Sequence, residues 1–403
     1  MVGIHPFPAL IVDEPWLNEV PAPADDAHTP QQRRAYVAAH PRSYLTVTRL
    51  VGDGVTDTPD PAGVLAEGVE ALRSMLAEDV FLPVGTDVLL VYRLAQNGHS
   101  QLGIVAALDV DDIETGLVRT HEDVVPQRAV HLAEHFAAAR GQSSPIVLGH
   151  PPDASLEALL TNISTSRPPD REFTAPDGLH QAVWAVEDTS DIAQIQDVLA
   201  GEPAYVIDGH HRVAASLQYR TIEPGTPSDT TLAALFPTNE LRAREYNRWI
   251  NDLGEVSAAD FVCAVGLACV VTKLGPVAEA PGRAGAVSMY ADGCWYRVTL
   301  PDIDVSDNPR DALDPVRLDR VILGPLLGIT EGDTSGRVTF VTATHGLPDF
   351  AADVDRRGGV AFVLHPISVD TVVNVAEAGQ HMPPKSTFFE PKARPGLFLR
   401  LNP

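Results

Sequence analysis

Cysteine is scarce in this sequence of 403 residues. The three cysteines, Cys263, Cys269 and Cys294, are odd in number and do not follow the spacing of a metal-ligand set. Domains that are held together by disulfides use many more cysteines. The sequence therefore fits a reducing compartment better than a disulfide framework.

The sequence also lacks long hydrophobic runs. No stretch of about 18 apolar residues occurs, and the N-terminus has no basic segment followed by an apolar one. A membrane-spanning helix and a secretory signal are therefore not expected. The prediction is a cytoplasmic protein.

Positively charged residues are also few: the sequence has 29 Lys and Arg residues and 54 Asp and Glu residues, which gives a net charge of −25. Affinity for duplex DNA comes largely from neutralising phosphates, so this balance argues against a duplex nucleic acid as partner. It still allows a locally basic pocket for one small anion. Only three basic residues are lysines, and two of them, Lys385 and Lys392, lie close together near the C-terminus.

The chain is long enough for two or three domains with a large core. Strand-like and helix-like segments alternate through its middle, which predicts a mixed α/β fold. Three regions are expected: an N-terminal α/β region at 1–105, a phosphate-binding core at 106–225, and a C-terminal α/β region at 226–403. The second boundary falls in Glu223–Asp229, which contains two prolines and a glycine.

Local patterns predict further elements. The β-rich runs at 87–94 and 101–110 flank Asn97-Gly98, which is typical of a hairpin turn. Helices are expected at 30–40, with Thr29 as the cap, and at 59–78. The polar segment at 167–177 is expected to be a loop.

The most informative stretch spans residues 205–217. An apolar strand-like run ends in Asp208-Gly209 and passes at once into a helical pattern. Gly209 has no Cβ, so a phosphate can approach its backbone closely. The first N–H groups of a helix also favour an anion. This strand, turn and helix start therefore indicate phosphate or nucleotide binding.

Three side-chain donors, His210, His211 and Arg212, follow at the start of that helix. Two other interpretations stay open. Asp208 can be a simple helix cap, with the histidines solvated or bound to carbonyl groups. The histidine pair can also be a metal site, although neighbours on a helix point about 100° apart and rarely share one ion.

Two more segments carry possible chemistry. His121-Glu122 lies in an extended-looking connection before a predicted helix, where a glutamate can act as a general base. A solvated loop carboxylate is the alternative. In the tail, Lys385, Ser386 and Thr387 follow two prolines, and one cation with two hydroxyls in a stiff loop suits a phosphate or carboxylate. A plain surface loop is the alternative there.

Three motifs in order resemble those of a known family: Asp208-Gly209-His210-His211-Arg212, Tyr246-Asn247-Arg248 and Met382-Pro383-Pro384-Lys385-Ser386-Thr387. The sequence looks like the large prokaryotic domain-of-unknown-function family that carries a DGHHR signature and an MPPKST tail. This resemblance runs nearly end to end, from Pro6 to Lys392.

The DGHHR element with an upstream His-Glu is also similar to the ParB/sulfiredoxin-like superfamily, which includes free-serine kinases, sulfiredoxin and CTP-binding ParB. That resemblance implies a ParB/sulfiredoxin-like core at 106–225, phosphate binding by residues 208–212, and Glu122 as general base. The sequence departs from the family pattern at Pro23-Ala24-Asp25-Asp26, which lacks the usual Tyr, and at Val213, where Tyr is frequent. Contacts from those two rings are not expected, so the substrate stays open.

The resulting hypothesis is a nucleotide-dependent phosphotransferase, similar to the free-serine kinases, that acts on a small hydroxylated metabolite with ATP or ADP and Mg²⁺. Two alternatives are a non-catalytic nucleotide-binding switch like CTP-binding ParB and a phosphoester hydrolase acting on a phosphometabolite such as phosphoserine. The site residues predicted are Glu122, His211 and Arg212 for catalysis, and Asp208, Gly209, His210, Lys385, Ser386 and Thr387 for binding phosphates or the acceptor.

Overall fold

The structure is a computed structural model that describes residues 2–24, 30–48, 61–225, 228–301, 308–331 and 335–402. Several predicted features lie outside the described residues: the helix cap Thr29, residues 25 and 26, the first two residues of the helix predicted at 59–78, and residues 226 and 227 of the boundary segment. Within the described ranges, no helix is both long and apolar enough to cross a membrane.

Strands and helices alternate along the chain, and the prediction of a mixed α/β fold is confirmed. The described strands are β1 (Ile4–His5), β2 (Phe7–Val12), β3 (Phe81–Gln96), β4 (His99–Asp109), β5 (Val118–Arg119), β6 (Gly141–Gln142), β7 (Ile146–His150), β8 (Arg171–Thr174), β9 (His180–Val186), β10 (Ala204–Asp208), β11 (Thr230–Pro237), β12 (Ala243–Arg244), β13 (Tyr246–Ile250), β14 (Val270–Gly275), β15 (Ala286–Ala291), β16 (Cys294–Thr299), β17 (Val338–Thr342), β18 (Val360–Val363), β19 (Phe388–Phe389) and β20 (Phe398–Leu401).

The described α-helices are α1 (Pro30–Ala39), α2 (Pro61–Ala77), α3 (Asp111–Glu114), α4 (Pro126–Ala139), α5 (Ala154–Ser166), α6 (Thr189–Leu199), α7 (His210–Ile222), α8 (Ala258–Ala268), α9 (Asp314–Leu318), α10 (Gly324–Leu327), α11 (Leu347–Arg357) and α12 (Val369–Glu377). Between α9 and α10 the chain widens into a π-helical turn at Asp319–Leu323. Such turns recur at functional sites.

The chain divides into two compact units. The first contains Met1–Arg119, Val124–Leu241 and Pro391–Pro403; the second contains Thr120–Asp123 and Arg242–Glu390. The predicted division into three regions stays a prediction. In the structure, β4 continues without a break through residue 105.

The first unit is built on a curled mixed sheet with the strand order β5-β10-β7-β11-β4-β3-β2-β20-β6. β1 also pairs with β4, and β9 pairs with both β3 and β8. The pairs β5–β10 and β7–β11 are parallel, whereas β7 and β10 run antiparallel. The carboxyl ends of the two parallel pairs therefore lie at opposite edges of this sheet.

Two local predictions in this unit have different outcomes. The hairpin is confirmed, because β3 and β4 pair up to Gln96 and His99, and Asn97 and Gly98 have φ values of 52° and 75°. Positive φ at both positions is the geometry of a tight hairpin turn. The loop predicted at 167–177 is wrong, since it contains β8, which pairs with β9. The side chains of β8 are only partly buried, so its sequence is polar, and a polar sequence predicts a loop.

The second unit has an antiparallel sheet in the order β14-β16-β15-β18-β13-β17, and a separate pair of β12 with β19. Its largest core cluster joins these strands to α8 and to the π-helical turn. Phe261 of α8 meets Phe362 of β18 edge-on, with ring centroids 6.3 Å apart. This core supports β13, which carries the Tyr246-Asn247-Arg248 motif.

Candidate functional sites in the two units

The predicted strand, turn and helix start at 205–217 is present in the first unit. β10 ends at Asp208, and α7 begins at His210. The pairing of β10 with β7 slips by one residue between Val206 and Asp208, and such a bulge redirects the side chains that follow. Gly209 is the N-cap, with a φ of 99° and no side-chain cap bond. Asp208 is therefore not the helix cap.

Asp208 instead joins two cations. Its Oδ2 accepts from Arg212 Nη2 at 2.6 Å, and its Oδ1 accepts from Lys392 Nζ at 2.9 Å. Burial by itself raises the pKa of Asp208, but the charges and hydrogen bonds of Lys392 and Arg212 outweigh it and hold the pKa well below its usual range. Asp208 is therefore a carboxylate at neutral pH, with both oxygens occupied.

The guanidinium of Arg212 packs directly over Gly209. A Cβ built on Gly209 would lie 2.7 Å from both Nε and Nη2 of Arg212. Arg212 Nε is buried and has no hydrogen-bond partner among the described residues. A buried donor without a partner is costly, so this atom is suited to an acceptor supplied by a ligand.

Two cations meet at this cluster. Arg212 and Lys392 both pair with the carboxylate of Asp208. All three groups lie at the start of α7, whose first N–H groups and dipole add further positive potential. The arrangement favours an anion such as a phosphate group.

The two histidines of the motif differ in environment. His210 is the first residue of α7 and is buried, with 6% of its surface exposed. His211 Nε2 accepts a hydrogen bond from the backbone N–H of Val125 at 3.1 Å. That bond places the proton of a neutral ring on Nδ1. His211 therefore anchors the chain just before α4.

α7 is held in place by its packing within the first unit. Tyr219 of α7 meets Phe136 of α4 in a T-shaped contact with centroids 6.3 Å apart. On another side, the Ser216 hydroxyl donates to Thr231 Oγ1 of β11 at 2.8 Å. These contacts fix the start of α7 against the sheet, so Arg212 is positioned by a rigid element.

The segment that carries Glu122 belongs to the second unit. Glu122 forms an isolated parallel bridge with Met382, and the Met382 N–H donates to the His121 carbonyl at 2.8 Å. Asp123 Oδ1 lies 2.5 Å from His381 Nδ1. These bonds join Thr120–Asp123 to the start of the MPPKST tail.

Arg248 holds the tail loop in its conformation. Only 4% of Arg248 is exposed, and Nη1 donates to the carbonyls of Tyr246 at 3.0 Å and Lys385 at 2.9 Å. Nη2 reaches the Pro384 carbonyl at 3.4 Å. Burial lowers the pKa of Arg248 to about 10. Arg248 is a positioning residue inside its unit, not an exposed anion ligand.

Lys385 is the cation that this loop presents. Its backbone is left-handed, with a φ of 58°, a conformation that costs a non-glycine residue about 1 kcal/mol or more. Its Nζ lies 5.5 Å from the centroid of the Tyr246 ring. Among the described residues it has no carboxylate partner at ion-pair distance. Strain and an uncompensated charge together mark Lys385 as a candidate binding group.

The two hydroxyls of the tail motif differ. Ser386 is buried, and its Oγ donates to the Pro383 carbonyl at 2.7 Å. This hydroxyl therefore stabilises the loop. Thr387 is partly exposed and directly precedes β19.

Asp319 opens the π-helical turn and carries a perturbed carboxyl group. Burial raises its pKa to about 6, the negative charge of Glu331 adds to that, and the charges of Arg248 and Arg310 oppose it. Asp319 therefore exchanges its proton in the range where most carboxyl groups are already ionised.

The structure thus brings Asp208, Gly209, His210, His211 and Arg212 together in the first unit. In the second unit, the Glu122 segment contacts His381 and Met382, which precede Lys385–Thr387 in the tail. Three residues were not predicted from the sequence as site residues: Lys392, which pairs with Asp208; Arg248, which holds the tail loop; and Asp319, which feels the charge of Arg248. The scarcity of lysine was a signal for Lys392. No sequence signal pointed to Asp319.

Solved structures with a similar arrangement include a mutant free serine kinase in complex with ADP, at 11% identity and a TM-score of 0.38, covering 74% of this chain and 92% of that one. C-terminally truncated SbnI from Staphylococcus aureus matches at 12% identity and a TM-score of 0.38, covering 74% and 85%. A conserved hypothetical protein from Pyrococcus furiosus matches at 12% identity and a TM-score of 0.35, covering 73% and 93%. Superpositions with TM-scores this low support no conclusion about the activity of this chain.

No curated protein matches the sequence significantly. The relationship to the ParB/sulfiredoxin-like superfamily stays a prediction. A family model described as protein of unknown function (DUF1015) matches residues 4–321, well over half of the chain. The expected membership of a domain-of-unknown-function family is therefore confirmed: this chain belongs to the DUF1015 family.

Proposed function

We propose that this protein is a nucleotide-dependent phosphotransferase that acts on a small hydroxylated metabolite. The observation that carries the proposal is the cluster of Arg212, Lys392 and Asp208 at the start of α7, with Arg212 Nε buried and without a partner among the described residues. A buried guanidinium donor that needs an acceptor suits a phosphate group.

The nucleotide would be ATP or ADP, with its phosphates against Gly209, His210 and Arg212. The backbone of Gly209 carries no side chain that would keep a phosphate away from the first N–H groups of α7. Both oxygens of Asp208 already accept from cations. Mg²⁺ would therefore be held by phosphate oxygens and water and not by Asp208. The bound phosphates supply the group to be transferred.

Glu122 is proposed as the general base for the acceptor hydroxyl. Support comes from its setting in the chain: Glu122 follows His121 in a short connection that is held within the second unit by the bridge to Met382. A glutamate fixed in this way can take up the proton of an acceptor hydroxyl.

The remaining roles follow from the chemistry of each side chain. Arg212 would stabilise charge that develops on the transferring group. His211 would keep the Val125 anchor in place and offer its Nδ1 proton. Lys385, with Ser386 shaping its loop and Thr387 beside it, would hold the acceptor or a second phosphate.

A binding experiment tests the phosphate site. Titration of purified protein with ATP, ADP and CTP, each with and without Mg²⁺, should give saturable binding for at least one nucleotide. Arg212→Gln should weaken it about tenfold or more, since a charged hydrogen bond is lost. Arg220→Gln is the matched control, because Arg220 lies on the same helix but pairs with Asp111 and Glu114. Equal binding by wild type and Arg212→Gln would refute the proposed site.

A transfer experiment tests the activity. Nucleotide consumption with a panel of hydroxylated amino acids and sugars should fall by about 10² to 10⁴ in Glu122→Gln, the usual size of a general-base contribution. Nucleotide binding should be unchanged in that variant. Binding without transfer to any acceptor would favour the nucleotide-binding switch. Phosphate release from phosphoserine without nucleotide would favour the hydrolase.

A further inference from the structure

We propose a second binding site in the first unit, for a small organic ammonium ion, in the cavity at the carboxyl ends of β7 and β11. About 360 Å³ of space lies between its lining residues when the open solvent at its mouth is counted. This proposal does not depend on the phosphotransferase activity. It concerns residues that no motif of the sequence singled out.

The cavity is separate from the Asp208 cluster. β7 ends at His150 and β11 at Pro237, and these two residues pair in parallel register. β10 runs antiparallel to β7, so its last residue Asp208 pairs with Val147, at the start of β7. The two sites therefore lie at opposite edges of the same sheet. Carboxyl ends of parallel strands are a common place for ligands.

His150 supplies an acceptor that lacks a partner. Only 4% of the residue is exposed, and it lines the cavity. Its Nδ1 lies 2.8 Å from the Pro151 carbonyl, which can only accept, so Nδ1 carries the proton. Burial lowers the pKa of His150, which keeps the ring neutral. Nε2 is then an acceptor, and it has no hydrogen-bond partner among the described residues.

Two carboxylates of the cavity lack a positive partner. Neither Glu157 nor Glu240 forms an ion pair with a described residue. Burial raises the pKa of Glu240, and the hydrogen bond that it accepts from the Leu102 N–H at 2.6 Å lowers it. The charge of Glu157 raises this pKa and that of His99 lowers it. A cation between these two carboxylates would relieve that repulsion. Asp153 is not available, because it caps α5.

The walls define the body of the ligand. Leu102, Leu156, Leu160 and Pro237 line the same cavity, which suits a short aliphatic chain. A metal ion fits less well, since within the described residues no three histidine or carboxylate ligand atoms of this cavity lie within 4.8 Å of one another. A ligand that has an N–H donor, a positive charge and a short aliphatic chain is a primary alkylammonium ion.

Calorimetric titration with n-butylammonium chloride tests the site. Wild type should bind one equivalent saturably, and n-butanol, which has no charge, should not bind. Glu240→Gln keeps the acceptor for the Leu102 N–H but removes the charge, so affinity should fall about tenfold or more. Glu202→Gln, at an exposed position, should bind like wild type. Absence of saturable binding by wild type, or undiminished binding by Glu240→Gln, would overturn the proposal.

A second measurement does not depend on the folding of a variant. In wild type, the ¹⁵N resonance of His150 Nε2 should move when butylammonium is added, because the lone pair accepts a hydrogen bond. An unmoved resonance would mean that water alone satisfies this atom, and the site would be refuted. Arg212→Gln should bind butylammonium like wild type, which separates this proposal from the phosphate site.

Discussion

Lys392 and Asp208 are 184 residues apart in the chain, yet Lys392 Nζ lies 2.9 Å from Asp208 Oδ1. The contact ties the last segment of the first unit to the end of β10. Because the other oxygen of Asp208 holds Arg212, a single carboxylate orients both cations of the proposed phosphate site. Any change at Lys392 should therefore affect Arg212 as well.

We expect Lys392→Met to lower the free energy of unfolding by about 2 kcal/mol, because it removes a charged hydrogen bond from a largely buried cluster. Nucleotide affinity should fall too, since one of two cations is lost. Urea denaturation and nucleotide titration measure the two effects. Lys273→Met, at an exposed position of β14, is the control. If both variants behave alike, the contact contributes nothing to stability.

Gly209→Ala should destabilise the protein by about 1 to 3 kcal/mol, because an L-residue is strained at its φ of 99°. The added Cβ would also meet Arg212 at 2.7 Å and displace the guanidinium. Nucleotide binding should therefore fall even under conditions where the variant is folded. Gly201→Ala has open space around its Cβ and should have little effect. A Gly209→Ala variant as stable as Gly201→Ala would contradict this geometry.

Asp319 should make stability depend on pH. Its pKa is about 6 in the folded state and about 3.9 in an unfolded chain. Between these values the folded state holds a proton that the unfolded state has released, so stability falls as pH rises from about 4 to above 6. Asp319→Asn removes this pH dependence. As the pH rises from about 4 to above 6, its free energy of unfolding should therefore gain about 2 to 3 kcal/mol on that of wild type.

Thermal unfolding from pH 4 to 8 measures that difference. Glu255→Gln, at an exposed loop position of the same unit, is the control. Parallel curves for wild type and Asp319→Asn across the whole range would show that the carboxyl of Asp319 is not perturbed.

Lys385 should show a trade-off between stability and binding. Lys385→Gly and Lys385→Ala both remove the ammonium, but only glycine relieves the left-handed backbone at a φ of 58°. We expect Lys385→Gly to be more stable than Lys385→Ala by about 1 kcal/mol. Both should lose the same affinity for acceptor or phosphate. A more stable alanine variant would argue against strain at this position.

Part of this protein could be predicted from sequence because the relevant signals are local. Asn97-Gly98 favours positive φ at both turn positions, so the hairpin followed from two residues. The apolar run before Asp208-Gly209 and the helical spacing after it predicted the junction of β10 and α7 for the same reason. Motif order indicated a domain-of-unknown-function family, and the match to residues 4–321 bears this out.

Other features depend on which strands become neighbours, and no local signal sets that. β8 has a polar sequence typical of a loop, but its backbone groups find partners on β9. Arg248 lies in a polar motif whose sequence does not show its partners, yet it is buried against the carbonyls of Pro384 and Lys385. A side chain whose partners lie more than a hundred residues away is oriented by the packed sheet.

The sequence by itself determined the charge balance, the mixed α/β class and the chemistry gathered at residues 208–212. Only the tertiary structure decided that Lys392 completes this cluster, and that His150 shares a cavity with Glu240 at the opposite edge of the sheet. The physical reason is that residue types and turns follow short-range preferences, whereas the meeting of distant side chains follows strand order and register.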